Sequence, residues 1–345
     1  MKAALLTAPY CVELVERTLP PPGRGQARIR VQQCGLCTSE VDLWLGKDPQ
    51  KLPAAIGHEI AGFVEELGPD VTDVDVGDRV VAWIDEGGFA EEVNVEARYC
   101  VRVRSHLPYP AVAEPLACVV NAVELVSPPL GADVVIIGAG YMGSLLQLVT
   151  ALKRPRTITV ADVRPDALDR ATALGATRVV NTKQELLCDV VNELTGGRGA
   201  DVAFEVTGVN PGLDLATEVT RMSGKLCIVG YHQGEPRTVD LARWNWMAFE
   251  IVNAHFRSID TIMAGMRAGM RLVEAGILDV SALASDTYPL RAIATAFETA
   301  TEKPPGFVKA VIEPNARVSR QGPGDQVRSA GLGRPARGCQ RVLEA

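Results

Sequence analysis

The stretch VVIIGAGYMGSLL, residues 134–146, is the part of the sequence that decides the fold. An apolar run typical of a buried strand is followed by the spacing Gly138-x-Gly140-x-x-Gly143 and then by a helix-like segment. In this arrangement Gly138 permits a tight turn, Gly140 lets the backbone approach a pyrophosphate, and Gly143 lets helix and strand pack closely. The helix N-terminus adds unpaired N–H groups and a partial positive charge. The stretch therefore predicts a dinucleotide-binding turn.

The next strand-like run, TITVADVRP, carries the acid that selects the dinucleotide. Asp162 lies 24 positions after Gly138, close to the spacing of about 20 expected for a ribose-binding acid. Its carboxylate would accept hydrogen bonds from the ribose hydroxyls and repel a 2′-phosphate, which favours NAD over NADP. Arg164 can pair with a phosphate and keeps NADP open as the second choice, and Asp162 could instead simply cap the following helix. The other predicted cofactor contacts are Tyr141, Met142, Thr207 and Gly230.

Two kinds of pattern divide the chain. Up to about residue 115, short runs rich in β-branched residues are separated by Gly, Pro and Asp, which predicts a β-rich region. From about residue 130, apolar strands alternate with helical segments that close on glycine, and six such strands predict a doubly wound parallel sheet. We therefore predict an α/β fold. A later strand-like run, GFVKAVIE, suggests that the chain returns to the first region.

Composition limits the kinds of partner and compartment. The net charge of −7 argues against a nucleic-acid partner, because nucleic-acid binding needs basic patches. No apolar run reaches the roughly 18 residues that a membrane span requires, and the N-terminus shows no obvious signal peptide. The eight cysteines are spread along the chain rather than clustered as in a secreted scaffold. We expect a cytoplasmic protein with no membrane partner.

The segment QCGLCTSEVD, residues 33–42, raises the question of metal binding. Its C-x-x-C spacing fits a redox dithiol, half of a zinc knuckle, or one metal ligand beside an incidental cysteine. No thioredoxin-like βαβ pattern surrounds it and no second C-x-x-C follows, which favours the last reading. Cys37, His58 and Glu59 offer a thiolate, an imidazole and a carboxylate, all of which zinc accepts. Glu114 is a further carboxylate, although each of these residues taken alone could be structural.

Six motifs together resemble a known family. CGLCTSE, GHEIAGFVEELGPDVTDVDVGDRVV, AEPLACVV, GAGYMG, TGGRGADVAFEVTG and KLCIVGY are similar, in this order, to motifs of the zinc-containing medium-chain alcohol and polyol dehydrogenases. The resemblance runs from residue 1 to about 314. It implies a GroES-like catalytic domain, residues 1–120 and 258–314, interrupted by a Rossmann NAD-binding domain, residues 121–257. Residues 315–345 have no counterpart in the family, and their composition predicts a disordered tail.

The resemblance also implies a ligand set. Cys37 and His58 match the family's first two zinc ligands, which makes them catalytic residues as well. Glu59 follows His58 as in the family's GHE motif, and Glu114 matches the position that is glutamate in the sorbitol and threonine dehydrogenase branch. Either glutamate could complete the site. The chain lacks the cysteine-rich lobe that binds a structural zinc in many relatives, so we expect one catalytic zinc per chain and no structural zinc.

Two further positions concern the proton that the substrate alcohol would lose. Ser39 matches the hydroxyl that receives the substrate's proton in the family. Three residues later the family often has a histidine that relays the proton to water, whereas this chain has Asp42. The role of Asp42 therefore stays open. His232 and His255 each follow a Rossmann strand and are candidates to face the nicotinamide, with a structural role equally favoured.

The function implied by the resemblance is hydride transfer between NAD(H) and a secondary alcohol or ketone. The ligand set favours a polyol, cyclitol, sugar or amino-alcohol substrate. Two alternative functions are a zinc-free NADPH-dependent quinone or enoyl reductase of the same fold and a non-catalytic nucleotide-binding protein. The family further suggests a homodimer or homotetramer, with the edge strand EIVNAHF pairing across a two-fold axis.

Overall fold

The computed structural model describes residues 1–104 and 107–316. Most of the predicted tail therefore lies outside the described residues. Asn315 is within them, and its side-chain amide donates to the carbonyls of Val31 and Glu91, both at 2.9 Å. In the described part of the chain, no helix is both long enough and apolar enough to cross a membrane.

The N-terminal region is built from strands, as its sequence predicts. Its strands are β1 (Lys2–Ala8), β2 (Cys11–Glu16), β3 (Gln26–Gly35), β4 (Ala54–Ala55), β5 (Glu59–Leu67), β6 (Arg79–Trp83), β7 (Glu92–Glu96) and β8 (Cys100–Arg102). A short helix, α1 (Thr38–Trp44), follows β3, and a long one, α2 (Ala113–Val126), closes the region. Strand β3 alternates between buried and half-buried residues along most of its length, because one face of its sheet packs on the core.

The middle region alternates strands and helices. In chain order it contains β9 (Asp133–Ile137), α3 (Tyr141–Ala151), β10 (Thr157–Asp162), α4 (Pro165–Ala173), β11 (Arg178–Asn181), α5 (Leu187–Thr195), β12 (Ala200–Glu205), α6 (Asn210–Val219), β13 (Thr220–Ile228), α7 (Leu241–Met247) and β14 (Glu250–Asn253). Within the described residues the sheet order is β11-β10-β9-β12-β13-β14 with every pair parallel. This is the strand order of a doubly wound dinucleotide-binding sheet, and it confirms the predicted fold class.

One boundary differs from the sequence-based expectation. The run NPGLDLATEVTRMSG was expected to be a helix closing on glycine. Instead α6 ends at Val219, and Thr220 begins a continuous strand. Thr220 adopts an extended backbone conformation, and its hydroxyl donates to the carbonyl of Ala216 at 2.6 Å. Pairing of β13 with β12 from Thr220 onward outweighs the local helical pattern.

The C-terminal region brings the chain back to the first sheet. It contains α8 (Ile259–Glu274), β15 (Asp286–Pro289), α9 (Ile293–Glu302) and β16 (Ala310–Glu313). Strand β16 pairs antiparallel with β3, opposite Cys34 and Gly35, while β3 also pairs with β5 and β7. Strand β3 therefore joins the N-terminal and C-terminal segments of the chain in one sheet.

Candidate active site

Strand register brings the predicted metal ligands together. Gly35, the last residue of β3, lies opposite Glu59, the first residue of β5. Cys37 follows as the N-cap residue of α1, and His58 immediately precedes β5. One ligand atom each from Cys37, His58 and Glu59 lie within 4.8 Å of one another. Two segments separated along the chain thus place a sulfur, a nitrogen and an oxygen donor at one point.

Glu40 supports this group, and the sequence analysis missed it. Its Oε2 accepts a hydrogen bond from the Cys37 amide at 2.7 Å, and its Oε1 accepts one from the Gly57 amide at 2.8 Å. His58 Nδ1 lies 2.9 Å from the same Oε1. A carboxylate on Nδ1 orients the imidazole and leaves Nε2 for a metal. The spacing Cys37-x-x-Glu40, which is that of a capping box, was the available signal.

Charge around His58 sets its protonation. Burial lowers the pKa of His58, but the Glu40 carboxylate and the Cys37 side chain outweigh burial and raise that pKa well above its ordinary value. A metal must therefore displace a proton from this pocket, because only neutral imidazole is a ligand.

Glu59 is buried beside a buried lysine. Glu59 is 1% exposed and Lys309 5% exposed, and Lys309 Nζ donates to Glu59 Oε1 at 2.7 Å. Glu59 Oε2 has no hydrogen-bond partner among the described residues. Burial raises the pKa of Glu59, and the Lys309 ammonium opposes that rise without cancelling it. Burial lowers the pKa of Lys309, but the charges of Glu59, Tyr109 and Cys37 together outweigh burial and raise that pKa, so the lysine keeps its proton.

This donor set fits zinc. A buried carboxylate oxygen without a partner is costly unless something else satisfies it, and the Glu59 side chain, whose Oε2 has no partner among the described residues, belongs to the same group as Cys37 and His58. Sulfur, imidazole nitrogen and carboxylate oxygen are the three zinc ligand types. Glu114 lies outside this close group; its Oε1 accepts from Cys118 Sγ at 3.5 Å, and its charge contributes to raising the pKa of Glu59.

A cleft opens beside the group. A cavity of about 410 Å³ is lined by Ser39 and His58 on the catalytic side and by Tyr231 and Gln233 from the segment after β13. Its remaining polar lining includes Asp48, Lys51, Asp85 and Glu86. Asp42 does not line this cavity; it is buried, and Lys47 Nζ donates to its Oδ1 at 2.6 Å.

The glycine-rich turn has the geometry that its spacing predicts. Gly138 has a φ of +107°, which only glycine adopts readily. A side chain on Gly143 would collide with the Gly138 carbonyl oxygen, so the helix packs against the strand at this point. Tyr141 begins α3 and is buried, with its hydroxyl 2.8 Å from that of Tyr109. Met142 is half-buried against the core of this region.

Asp162 binds the turn itself. Its Oδ2 accepts from the Ala139 amide at 2.7 Å, and its Oδ1 accepts from the amides of Val163 and Arg164 at 2.7 and 2.9 Å. A carboxylate offers about four acceptor positions, so one remains for a ribose hydroxyl. Arg164 Nη1 is buried and has no hydrogen-bond partner among the described residues.

The remaining predicted cofactor residues surround the end of β12. The Thr207 hydroxyl donates to Glu205 Oε1 at 2.5 Å, and the Gly230 amide donates to the Glu205 carbonyl at 2.9 Å. His232 Nε2 lies 2.8 Å from Glu205 Oε2, whereas the His255 ring lies 5.6 Å from that of Tyr231. Both imidazoles are thus held by protein side chains, since His255 Nδ1 lies 2.8 Å from Asn253 Oδ1. Burial lowers the pKa of His255.

Comparison with known protein families decides the identity of this arrangement. Residues 23–105 match the profile described as "Alcohol dehydrogenase GroES-like domain", and residues 143–269 match the profile described as "Zinc-binding dehydrogenase". Together the two profiles cover more than half of the chain. The chain belongs to the zinc-containing medium-chain dehydrogenase/reductase family.

Individual relatives extend over nearly the whole length of this dehydrogenase. It is 28% identical to 2-dehydro-3-deoxy-L-galactonate 5-dehydrogenase of Pseudoalteromonas atlantica, over 88% of this chain and 96% of that one. It is 25% identical to a sorbitol dehydrogenase of Bacillus subtilis, over 91% and 98%. Among solved structures, 2R,3R-butanediol dehydrogenase from Bacillus subtilis superposes with a TM-score of 0.80 at 25% identity, covering 91% and 99%.

Family membership confirms the predicted family and fold class. It does not favour the two alternatives, a zinc-free reductase and a non-catalytic nucleotide-binding protein. Of the four predicted metal ligands, the structure brings Cys37, His58 and Glu59 into one group and leaves Glu114 nearby. The roles of the individual site residues stay predictions.

Proposed function

We propose that this dehydrogenase transfers a hydride between NAD(H) and a secondary alcohol or ketone, with one catalytic zinc per chain. The observation that carries the proposal is the convergence of Cys37, His58 and Glu59 within 4.8 Å, with a buried carboxylate oxygen left unpaired. Zinc, when bound, supplies Lewis acidity at the alcohol oxygen, and the nicotinamide accepts the hydride.

The chain's own residues have separate tasks in this proposal. Cys37 and His58 hold the metal, and Glu59 supplies the third ligand, with Glu114 as its alternative. Glu40 orients the His58 imidazole and caps the helix that carries Cys37. Ser39 lines the cleft on the metal side. Its hydroxyl accepts the proton that the alcohol loses as it releases its own proton towards solvent.

A metal-content experiment tests this assignment. A Cys37→Ala variant should lose zinc and activity together while it still binds NADH, because Cys37 lies at the start of α1 and not in the glycine-rich turn before α3. Zinc is measured by elemental analysis and NADH binding by fluorescence titration. Full activity in the variant, or wild-type activity at less than about half a zinc per chain, would show that the ligand assignment is wrong.

The substrate is proposed to carry several polar groups. Six polar or charged side chains line the cleft beyond Ser39 and His58, from both sides: Glu40, Asp48, Lys51, Asp85, Glu86 and Gln233. Such a lining suits a polyol, cyclitol, sugar or amino alcohol better than an aliphatic alcohol, since hydroxyl and amino groups find partners there. A panel of these compounds, followed by NAD reduction at about 340 nm, identifies the class. No turnover with any of them by the zinc-loaded protein would favour the non-catalytic alternative.

NAD is proposed as the preferred dinucleotide, since a carboxylate at Asp162, the end of β10, would repel a 2′-phosphate. The unpaired Nη1 of Arg164 is the feature that favours NADP. The ratio of kcat/KM for the two cofactors decides the question.

The assembly and the domain division are further proposals. Strand β14 is at the edge of its sheet and carries the exposed Ile251, and the helix that precedes it, α7, carries the exposed Leu241 and Trp246. We propose that this edge pairs with a second copy in a homodimer or homotetramer, which light scattering measures directly. We also propose that residues 1–120 and 258–314 form one domain and residues 121–257 the other. A cytoplasmic location is proposed as well.

A further inference from the structure

A buried glutamate at the end of β12 organises two loops. Glu205 is fully buried. Its Oε1 accepts hydrogen bonds from the Thr207 amide at 2.6 Å, the Thr207 hydroxyl at 2.5 Å and the Gly208 amide at 2.9 Å. Its Oε2 lies 2.8 Å from His232 Nε2. One carboxylate therefore binds the loop that follows β12 through one oxygen and the loop that follows β13 through the other.

Arg237 completes the connection from the far side of the imidazole. Its Nε donates to His232 Nδ1 at 3.2 Å, and its Nη2 donates to the carbonyls of Gly208 and Gln233 at 3.2 and 3.0 Å. A guanidinium only donates, so His232 Nδ1 must be the acceptor. The proton of a neutral imidazole is then on Nε2, where it is donated to Glu205.

The residues on either side of His232 face the cleft. Tyr231 and Gln233 line the same cavity as Ser39 and His58. Gly230, just before Tyr231, is tightly packed, because a side chain on it would collide with Glu205 Oε2 and the Gly208 amide. The position of this part of the cleft wall is therefore set by the hydrogen bonds of its neighbours.

We propose that Glu205, His232 and Arg237 are positioning residues that fix Tyr231 and Gln233 in the wall of the substrate cleft. Together these three residues form the Glu205–His232–Arg237 hydrogen-bond chain. Its predicted effect is on the KM for the alcohol rather than on kcat, since none of its members lines the cleft itself. The kinetic part of this inference rests on the proposed function, whereas the hydrogen-bond pattern does not.

Glu205→Gln is a sensitive probe, because it changes one acceptor into a donor. If the new amide nitrogen faces His232, it meets the Nε2–H. If the imidazole shifts its proton to Nδ1, that proton meets the Arg237 Nε–H. If the amide turns over, its nitrogen faces the amides of Thr207 and Gly208. In each of these arrangements two hydrogen-bond donors face each other. When Arg237 is also replaced, the imidazole can carry its proton on Nδ1 and accept the new amide proton on Nε2. Arg237→Met should therefore partly rescue Glu205→Gln.

The first test uses no enzyme activity. Nitrogen-15 NMR of the histidine-labelled, zinc-loaded protein distinguishes the two imidazole tautomers, and the His232 signal is assigned by its loss in His232→Asn. We expect the Nε2–H form in the wild type and the Nδ1–H form in Glu205→Gln/Arg237→Met. A wild-type Nδ1–H form, or no change in the double variant, would overturn the proposed hydrogen-bond chain even if no compound of the panel is turned over.

The second test is steady-state kinetics with the substrate found by the panel. Glu205→Gln should raise the alcohol KM about tenfold or more, with kcat changed less than about threefold and zinc content unchanged. The double variant with Arg237→Met should show a smaller rise in KM than Glu205→Gln alone, because the two changes are coupled. Glu218→Gln and Arg243→Met, both exposed, are the matched controls and should leave KM unchanged.

His232 variants separate positioning from folding. His232→Gln keeps a donor for Glu205, and His232→Asn keeps an acceptor for Arg237, so each should raise KM less than Glu205→Gln. They also keep the test available if Glu205→Gln does not fold, which circular dichroism would reveal. A fall in kcat at constant KM, or equal kinetics in all variants and the wild type, would overturn the positioning role.

Discussion

Replacing Lys309 by methionine tests the most buried charge pair near the candidate metal group. Lys309 and Glu59 are 5% and 1% exposed, and their charged groups are 2.7 Å apart. Methionine fills a similar volume without the ammonium, so the change leaves a buried carboxylate without its counter-charge. Removing one partner of a buried ion pair costs about 3–5 kcal/mol. For a domain of about 150–250 residues this corresponds to a fall in Tm of roughly 6–20 °C.

The stability that Lys309→Met loses should depend on pH, in a direction that follows from the burial of Glu59. Burial raises the pKa of Glu59, and Lys309 opposes that rise, so the variant should have a still higher pKa. An acid with a raised pKa binds its proton more tightly in the folded protein than in the unfolded chain. Its folded state therefore loses stability as pH rises through that range and regains stability as pH falls. The variant should approach the wild type at acidic pH and differ most at neutral and alkaline pH.

The assay is thermal unfolding of metal-free protein, prepared with a chelator, at several pH values. Lys153→Met is the matched control, because Lys153 donates to Glu124 at 2.8 Å in a more exposed pair and should cost at most about 1 kcal/mol. Glu59→Leu/Lys309→Met should recover most of the loss, since apolar replacement of a whole buried pair is often neutral. A Lys309→Met loss no larger than that of Lys153→Met at every pH would refute the reasoning.

Three further predictions concern the cofactor turn and the core. Gly143→Ala should weaken NADH binding at least about tenfold, measured by fluorescence titration, because the added methyl group collides with the Gly138 carbonyl. Asp162→Ser should raise the ratio of kcat/KM with NADP to that with NAD, since it removes the carboxylate that repels a 2′-phosphate. Trp44→Ala should cost about 3–5 kcal/mol in denaturant unfolding, because Trp44 is buried and stacks on Phe297 at 5.0 Å between ring centroids.

The fold was predictable where its signals are local. Helix α2 occupies the segment AEPLACVVNAVELV that its apolar pattern predicts, and β9 and α3 flank the glycine spacing as expected. The boundary at Thr220 was not predictable in the same way. Its segment carries a helical pattern, and pairing with β12 decides the conformation. Local pattern thus identifies elements, whereas strand pairing sets some of their ends.

The candidate site was predictable in its residue types but not in their partners. Cys37, His58 and Glu59 belong to short motifs, so their chemistry can be read along the chain. Lys309 is 250 positions away from Glu59, and nothing local marks it as a partner. The contact exists because β16, which directly follows Lys309, pairs with β3, and β3 also pairs with β5, which begins at Glu59. Only the assembled sheet contains that information.

Lys309 also joins the two halves of the proposed reaction site. Its ammonium, besides binding Glu59, lies 4.5 Å from the centre of the Tyr141 ring, and Tyr141 begins the helix at the glycine-rich turn. A cation over an aromatic face is attracted to it, the more so when both are desolvated. The same buried charge is therefore shared between a candidate metal ligand and the dinucleotide turn. It follows that Lys309→Met should weaken NADH binding as well as lower stability, whereas Lys153→Met should do neither.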